Sequence, residues 1–340
     1  MSSQTPPFTA TAWAGTNIAL VKYWGKRPGP LNVPAAGSLS LTLADLGTTT
    51  SVSFVQKAAA TGDRLRLNGA AMDDKAAARA TRFIDLVRQQ ARLDRAAHVE
   101  SVNSVPTAAG LASSASGFAA LAVAAAHAAG LQLSNSNLSV LARQGSGSAA
   151  RSVCGGFSLM SAGTKVDGSD ASAASLLSHE VWSVRLVIAM TAKGSKAIGS
   201  TEAMQHTTAT SPYYKAWIDS VPDDLKQAQL ALNARDLDAL GRVAERSCLR
   251  MHACAMGAAP GILYWNPVTL GAIQAVMSLR SQGVAAYFTI DAGPHVKVLC
   301  EAKDAQIVAQ TMTNVSGVLE TIVARPGAGA HLVSSEVTHG

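Results

Sequence analysis

Apolar and polar positions along the chain switch between a two-residue and a three-to-four-residue period, and each switch marks an expected element. Residues 49–55 alternate as a half-buried strand does. Leu65-Arg66-Leu67 followed by Asn68-Gly69 reads as a strand entering a turn, because Asn and Gly tolerate the left-handed backbone of a tight turn. Over 73–97, Phe83, Ile84, Val87 and Ala91 fall on one helical face between charged positions, and 98–102 is extended again. Residues 113–129 predict a helix apolar on every side, hence buried. A polar turn at 134–137 and a short helix over 138–144, stopped at Gly145, come next, and Phe157–Met160 returns to strand character.

A softer stretch rich in Gly, Ser, Asp and Ala, 162–178, separates this half from a fresh apolar strand, Val184–Met190. Beyond it the pattern predicts a long helical region over 223–250, a helix over 269–282, strands over 285–290 and 296–300, and a last helix-strand pair ending near Ala324. Strands and helices mix without regular alternation, so the expected class is α+β rather than a doubly wound sheet. The Gly/Ser stretch places an expected division into units 1–182 and 183–340.

Composition narrows this picture. Hydrophobic residues make up 48% of the 340, charged residues 15% and aromatics 5%, so small side chains must fill much of a compact core. The formal charge of +6 favours anionic partners. The basic residues are scattered, without a Cys/His finger or an aromatic-rich basic segment, so small phosphorylated anions are expected and nucleic acid is not. Cys154, Cys248, Cys254 and Cys300 form no CxxC pair. Cys248, His252 and Cys254 match no common zinc spacing, and buried free thiols are expected instead. Residues 1–10 lack a basic segment followed by an apolar run, and the most apolar stretch, near 117–130, is too short to span a bilayer, so a cytoplasmic protein with no membrane partner is expected.

Four segments carry candidate chemistry. Pro106-Thr-Ala-Ala-Gly-Leu-Ala-Ser-Ser-Ala-Ser-Gly117 turns on small residues and opens a helix near Ser113, whose unpaired N–H groups and positive dipole end suit phosphate oxygens. Ser113 and Ser114 add hydroxyls, with Ser114 a candidate magnesium ligand; the plainer alternative is a Ser-capped core helix. Arg143-Gln-Gly-Ser-Gly-Ser-Ala-Ala-Arg151 places Ser146 and Ser148 in a glycine-punctuated loop before Arg151, whose guanidinium can grip a carboxylate or phosphate through two parallel bonds. Asn17-Ile-Ala-Leu-Val-Lys-Tyr-Trp-Gly-Lys26 puts Lys22 and Lys26 on one face whether helix or strand. Phe288-Thr-Ile-Asp-Ala-Gly-Pro-His295 holds Asp291 at the end of an apolar strand, as a candidate base or as simple turn chemistry. Together they offer an anion cradle, fixed cations, a gripping Arg and one carboxylate, which is what phosphoryl transfer to an alcohol requires.

These segments, in this order, closely resemble the diphosphomevalonate decarboxylase family of the GHMP kinase superfamily, as does Gly199-Ser200-Thr201-Glu202-Ala203-Met204. The resemblance runs from Asn17 to about Gly327. It implies two α+β domains, an ATP-binding one within 1–182 and a C-terminal one within 183–340, with the active site in the cleft between them. It implies ATP as co-substrate, Mg2+, and a phosphorylated 3-hydroxy-3-methyl acid that is phosphorylated on its tertiary hydroxyl and then loses phosphate and carbon dioxide. On this basis Asp291, Lys22 and Arg151 are the expected catalytic residues. Tyr23, Lys26, Ser146, Ser148, Arg151, Ser200 and Met204 are expected around the substrate. Asn68, Pro106, Ala109, Gly110, Leu111, Ala112, Ser113 and Ser114 are expected around ATP, and a homodimer is expected in solution. The chain departs from the family at Ala35-Ala36-Gly37-Ser38, Trp265-Asn266-Pro267 and His295. The rival functions are a relative acting on a monophosphate or another 3-hydroxy acid, with or without decarboxylation, and a silent ligand-binding member.

Overall fold

The computed structural model describes residues 8–56, 62–104, 113–194 and 198–337. The first half contains β1 (Phe8–Val21), β2 (Ser38–Val55), β3 (Arg64–Leu67), β4 (Ala70–Ala71), α1 (Asp74–Ala91), β5 (Ala96–Asn103), α2 (Ser113–Ala128), α3 (Asn135–Gly145), α4 (Ala149–Ser152), β6 (Phe157–Met160) and β7 (Ala173–Leu177). The second contains β8 (Val184–Met190), α5 (Ser200–Thr210), α6 (Tyr214–Ala234), α7 (Leu237–Met256), α8 (Pro267–Ser281), β9 (Ala286–Ile290), β10 (Val296–Glu301), α9 (Ala305–Thr313), β11 (Glu320–Ala324) and β12 (His331–Val337). Among the described residues the α+β class holds, with helices and two sheets mixed.

The first sheet runs β12-β1-β2-β5-β3-β4, with β6 on the start of β2 and β7 on β6. The residues read as a strand over 49–55 are the end of the much longer β2. Its partner β1 lies so close that Gly15 faces Gly47, where a β-carbon on Gly15 would stand 2.2 Å from the Leu43 carbonyl oxygen. Alanines of α2, from Ala119 to Ala126, pack on Ala10, Ala12 and Ala14 of β1, so small side chains on both elements let helix and sheet approach closely. The second sheet runs β11-β8-β10-β9.

Several expected boundaries move for local reasons. The helix expected over 73–97 is capped by Asp73 and stops at Ala91, because Arg92 adopts a left-handed conformation (φ 53°) and frees the chain to begin β5. The long helical region expected over 223–250 is helical and divides into two helices, parted at Arg235 (φ 53°) and restarted by Asp236, whose side chain accepts from the Ala239 N–H. The soft stretch is not wholly a connector, since its last residues form β7 in the first sheet. Beyond the second sheet, β12 returns to pair with β1, so the expected unit 183–340 contributes its last strand to the first sheet.

One apolar core joins the two sheets. Ile18 and Leu20 of β1 and Leu39 and Leu41 of β2 cluster with Leu186 and Ile188 of β8, Leu299 of β10, and α6 and α7 residues including Trp217, Val221 and Leu240. At about 1.5–3 kcal/mol per fully buried side chain of this size, this cluster alone fixes the sheets against each other. The end of β1 is thereby held against the β9–β10 turn, where the chemistry-bearing residues meet.

Candidate active site

β1 ends at Val21, and Lys22 follows it into the core at 2% exposure. Its backbone N–H donates to Ser247 Oγ on α7 (3.0 Å), and Nζ donates to the Ala19 carbonyl (2.9 Å) and to Asp291 Oδ1 (2.7 Å). Asp291 is the first residue after β9. Its second oxygen, Oδ2, lies 3.4 Å from Lys297 Nζ. Both lysines are buried while the aspartate side chain keeps 31% of its surface, so the carboxylate is the open member of the trio. Burial alone would raise its pKa, but the flanking ammonium groups of Lys22 and Lys297 outweigh burial and hold it well below the usual carboxylate range.

The strand-end position of Asp291 is enforced from behind by α7. Cys248 Sγ accepts from the Ile290 N–H at 3.2 Å, and His252 Nε2 lies 3.2 Å from the Ile290 carbonyl oxygen. Burial, then Lys22, lowers the His252 pKa to about 3, so the ring is neutral. The four cysteines are buried and unpaired, as their spacing suggested. His295, just past the turn, is also buried, and its Nδ1 accepts from the Thr191 N–H at 3.1 Å. Asn266 caps α8 with a full capping box and donates to the Thr191 carbonyl (2.9 Å). His295, a departure from the family pattern, and Asn266, the residue kept between the divergent Trp265 and Pro267, therefore both hold Thr191 at the end of β8.

Arg151, in α4, is 2% exposed. Nε donates to Asn17 Oδ1 (3.1 Å) and Nη1 to Ser38 Oγ (2.8 Å), so Ser38 of the divergent Ala-Ala-Gly-Ser run is one of its two anchors. No described carboxylate lies within ion-pairing distance of it. Burial lowers its pKa to about 10, with Tyr23 and Asp291 acting the other way. The guanidinium sits 5.6 Å from the centre of the Tyr23 ring, so the consecutive residues Lys22 and Tyr23 link Asp291 to Arg151. The Tyr23 hydroxyl is buried without a hydrogen-bond partner among the described residues, and burial pushes its pKa above the usual phenol value.

The Gly-Ser-Gly-Ser loop is shaped by its neighbours. A β-carbon on Gly145 would collide with the Phe118 ring, and one on Gly147 with Tyr23. Ser146 Oγ lies 3.4 Å from Ser114 Oγ and 3.5 Å from Ser148 Oγ, so three hydroxyls run from the start of α2 to the loop. Asn17 Nδ2 donates to the Ser148 carbonyl (3.0 Å) and to Ser152 Oγ (2.7 Å). Arg79 of α1 donates twice to the Gly145 carbonyl, at 3.0 and 2.7 Å. Ser114 is exposed at the first turn of α2, and a hydroxyl at the positive end of a helix suits a phosphate and its metal.

Lys22 and Lys26 do not share a face. Gly25 (φ 113°) turns the chain between them, and Lys26 Nζ donates to Asn32 Oδ1 (2.7 Å) and Thr201 Oγ1 (3.1 Å). Burial, then Arg79, lowers its pKa to about 8. Ser200 opens α5 beside Thr201, whereas Met204 is buried in the apolar core shared by the sheets. Asn68 (φ 51°) sits in the β3–β4 turn, and its Oδ1 accepts from the Asn103 N–H (2.9 Å) near the end of β5. Pro106, Ala109, Gly110, Leu111 and Ala112 lie outside the described residues, and Ser113 is described only as the start of α2.

Lys297, Asn17, Ser38 and Arg79 were missed as site residues. Lys297 alone carried a signal, as a lysine inside the otherwise apolar run Val296–Cys300. Among the described residues no helix is long and apolar enough to cross a membrane, and no three His, Cys, Asp or Glu side chains cluster as metal ligands.

A family model for the diphosphomevalonate decarboxylase-like N-terminal domain matches residues 14–173, and one for the mevalonate 5-diphosphate decarboxylase C-terminal domain matches 186–329. The diphosphomevalonate decarboxylase of Gibberella zeae is 38% identical over 94% of this chain and 88% of its own length. The mevalonate diphosphate decarboxylase structure from Staphylococcus aureus aligns with TM-score 0.90 and 37% identity, over 96% of this chain and 98% of that one. A structure of MDDEF in complex with MVAPP, AMPPCP and magnesium aligns with TM-score 0.89 and 41% identity, over 96% and 99%.

Proposed function

The chain belongs to the diphosphomevalonate decarboxylase family, and from that membership we infer that it is an ATP-dependent decarboxylase of mevalonate 5-diphosphate. The products are isopentenyl diphosphate, carbon dioxide, ADP and phosphate. The observation that carries this reading is the Asp291 carboxylate, paired to two buried lysines yet open on its remaining side, near a buried Arg151 that pairs with no carboxylate among the described residues.

A tertiary alcohol is a weak nucleophile and its alkoxide a poor leaving group; phosphorylation removes the second obstacle. In the proposed mechanism the substrate's 3-hydroxyl donates to Asp291, which aims the oxygen at the γ-phosphorus of ATP. Two ammonium groups make Asp291 a weak base, so its main contribution is orientation. As the new P–O bond forms, the bond from the γ-phosphorus to ADP breaks, ADP takes that electron pair, and the hydroxyl proton passes to Asp291 late in the transfer. Lys22 offsets charge on the moving phosphoryl group. When the C3–O bond breaks, phosphate takes that electron pair; the pair from the C–carboxylate bond becomes the new double bond and carbon dioxide departs.

Arg151 positions the carboxylate for that cleavage. Tyr23, Lys26, Ser146, Ser148 and Ser200 are proposed to hold the phosphorylated chain, with Met204 supporting α5 from the core. Asn68 and the segment from Pro106 to Ser114 are proposed to receive ATP. Magnesium, when bound, offsets negative charge on the phosphate oxygens, and Ser114 is the proposed protein ligand; a single hydroxyl suits an ion that takes most of its ligands from phosphates and water.

The domain division at 182/183, a homodimer and a cytoplasmic location belong to the same reading. ADP and carbon dioxide release measured with mevalonate and its mono- and diphosphates tests the function. Both products with the diphosphate alone are expected. ADP without carbon dioxide would make the protein a 3-kinase, and preference for the monophosphate would change the substrate.

A further inference from the structure

The second sheet holds a cation where its packing calls for an aliphatic residue. β10 lies between β8 and β9, and Val296–Cys300 are all buried, Lys297 at 4% exposure. Lys297 pairs in register with Ile188 on β8 and Thr289 on β9. Thr289 Oγ1 donates to the Ala19 carbonyl of β1 (3.3 Å), so this face of the sheet looks onto β1 and the end from which Lys22 emerges. An ammonium here must give up its water, which is unfavourable unless a charge partner replaces it. That partner is Asp291 Oδ2, at 3.4 Å, while Lys22 takes Oδ1 at 2.7 Å. The two lysines reach one carboxylate from different sheets.

We propose that Lys297 is a positioning residue for the phosphoryl-transfer step, holding Asp291 Oδ2 so that the carboxylate keeps both its orientation and its charge when the polyanionic substrate arrives. With Lys22 alone the carboxylate is free to turn about its Cβ–Cγ bond; a second ammonium on the other oxygen fixes its plane. The incoming diphosphate and carboxylate favour protonation of Asp291, and the second cation offsets that. The titratable groups facing Asp291 are Lys22 after β1, Lys297 on β10 and Arg151 on α4, with Cys248 and His252 on α7 behind. The assignment rests on Asp291 as the residue that orients the substrate hydroxyl.

The experiment compares Lys297→Met, Lys297→Arg and Asp291→Asn with the wild type in full-length protein. It reads folded state by thermal melting, kcat and KM for the acid, and kcat/KM against pH. Lys297→Met is expected to lower kcat about tenfold or more with KM nearly unchanged, and to move the acid limb of kcat/KM upward by about one pH unit or more. Lys297→Arg is expected to restore the acid limb and much of kcat. A folded Lys297→Met protein with an unmoved acid limb and normal kcat, beside an inactive Asp291→Asn, overturns the role of Lys297 alone. An active Asp291→Asn overturns the reading of Asp291 itself. Failure of both lysine variants to fold assigns Lys297 to core structure and overturns its positioning role.

Discussion

Gly147 and Tyr23 are fitted to each other: a β-carbon on Gly147 would stand 2.0 Å from the Tyr23 hydroxyl oxygen. That hydroxyl is buried with no hydrogen-bond partner among the described residues, which costs about 1–3 kcal/mol. Tyr23→Phe is therefore expected to leave the melting temperature unchanged or higher while raising KM for the acid several-fold. Gly147→Ala is expected to raise KM and lower the melting temperature together, because the ring or the loop must move. Steady-state kinetics beside thermal melts check both, and a Phe variant of lower stability with normal KM would remove Tyr23 from the substrate site.

Asp291→Asn is expected to cost at least about 10² to 10⁴ in turnover while ATP binding survives. The folded carboxyl titrates below its unfolded value of about 3.9, so its contribution to stability is present above that pH and is lost as pH falls toward the native value. Between pH 5 and 8 Asp291 should change neither stability nor rate in the wild type. Melting curves and turnover across that range check it.

Lys26 behaves differently. With its pKa lowered to about 8, it loses its charge as pH rises through that value, and with it one attraction for an anionic substrate. kcat/KM for the acid is expected to fall above about pH 8, while Lys26→Arg pushes that basic limb upward because guanidinium stays charged. An unchanged limb in the Arg variant would assign it to another group.

Ser114→Ala is expected to impair ATP use more than binding of the acid, since Ser114 stands exposed at the first turn of α2. Initial rates with each substrate varied in turn separate the two. A defect confined to the acid would place the hydroxyl, through its neighbour Ser146 at 3.4 Å, on the substrate side.

What the sequence revealed follows the range of the forces involved. Asp291 at a strand end was legible because an apolar run and a Gly-Pro turn are local signals. The split of 223–250 was not, because it depends on Arg235 taking a left-handed conformation that its neighbours do not announce. The shared face expected for Lys22 and Lys26 failed because β1 ends at Val21 and Gly25 turns the chain. Lys297 stands in the same β9–β10 hairpin as Asp291, six residues on across the turn, but that this pair meets Lys22 depends on the packing of the second sheet on β1, which local pattern does not show. Asn17 and Ser38 were hidden likewise, since they meet Arg151 from separations of 134 and 113 residues.

Arg151→Lys should damage catalysis although the charge is kept. The guanidinium is held by two bonds from different nitrogens, Nε to Asn17 at 3.1 Å and Nη1 to Ser38 at 2.8 Å, with Nη2 making no hydrogen bond to the described residues. A lysine has one nitrogen at the end of a flexible stem; it cannot keep both anchors and still present a donor in a fixed plane. It would turn toward Asn17 or Ser38, and the substrate carboxylate would lose its alignment with the breaking C3–O bond. Phosphoryl transfer depends on Asp291 and is expected to persist at a reduced rate, whereas carbon dioxide loss, which needs that alignment, should suffer at least as much. Single turnovers that follow ADP and carbon dioxide separately give the answer. ADP forming ahead of a lagging carbon dioxide supports the carboxylate-positioning role; both products at wild-type rates would mean that Arg151 only braces α4 against β1.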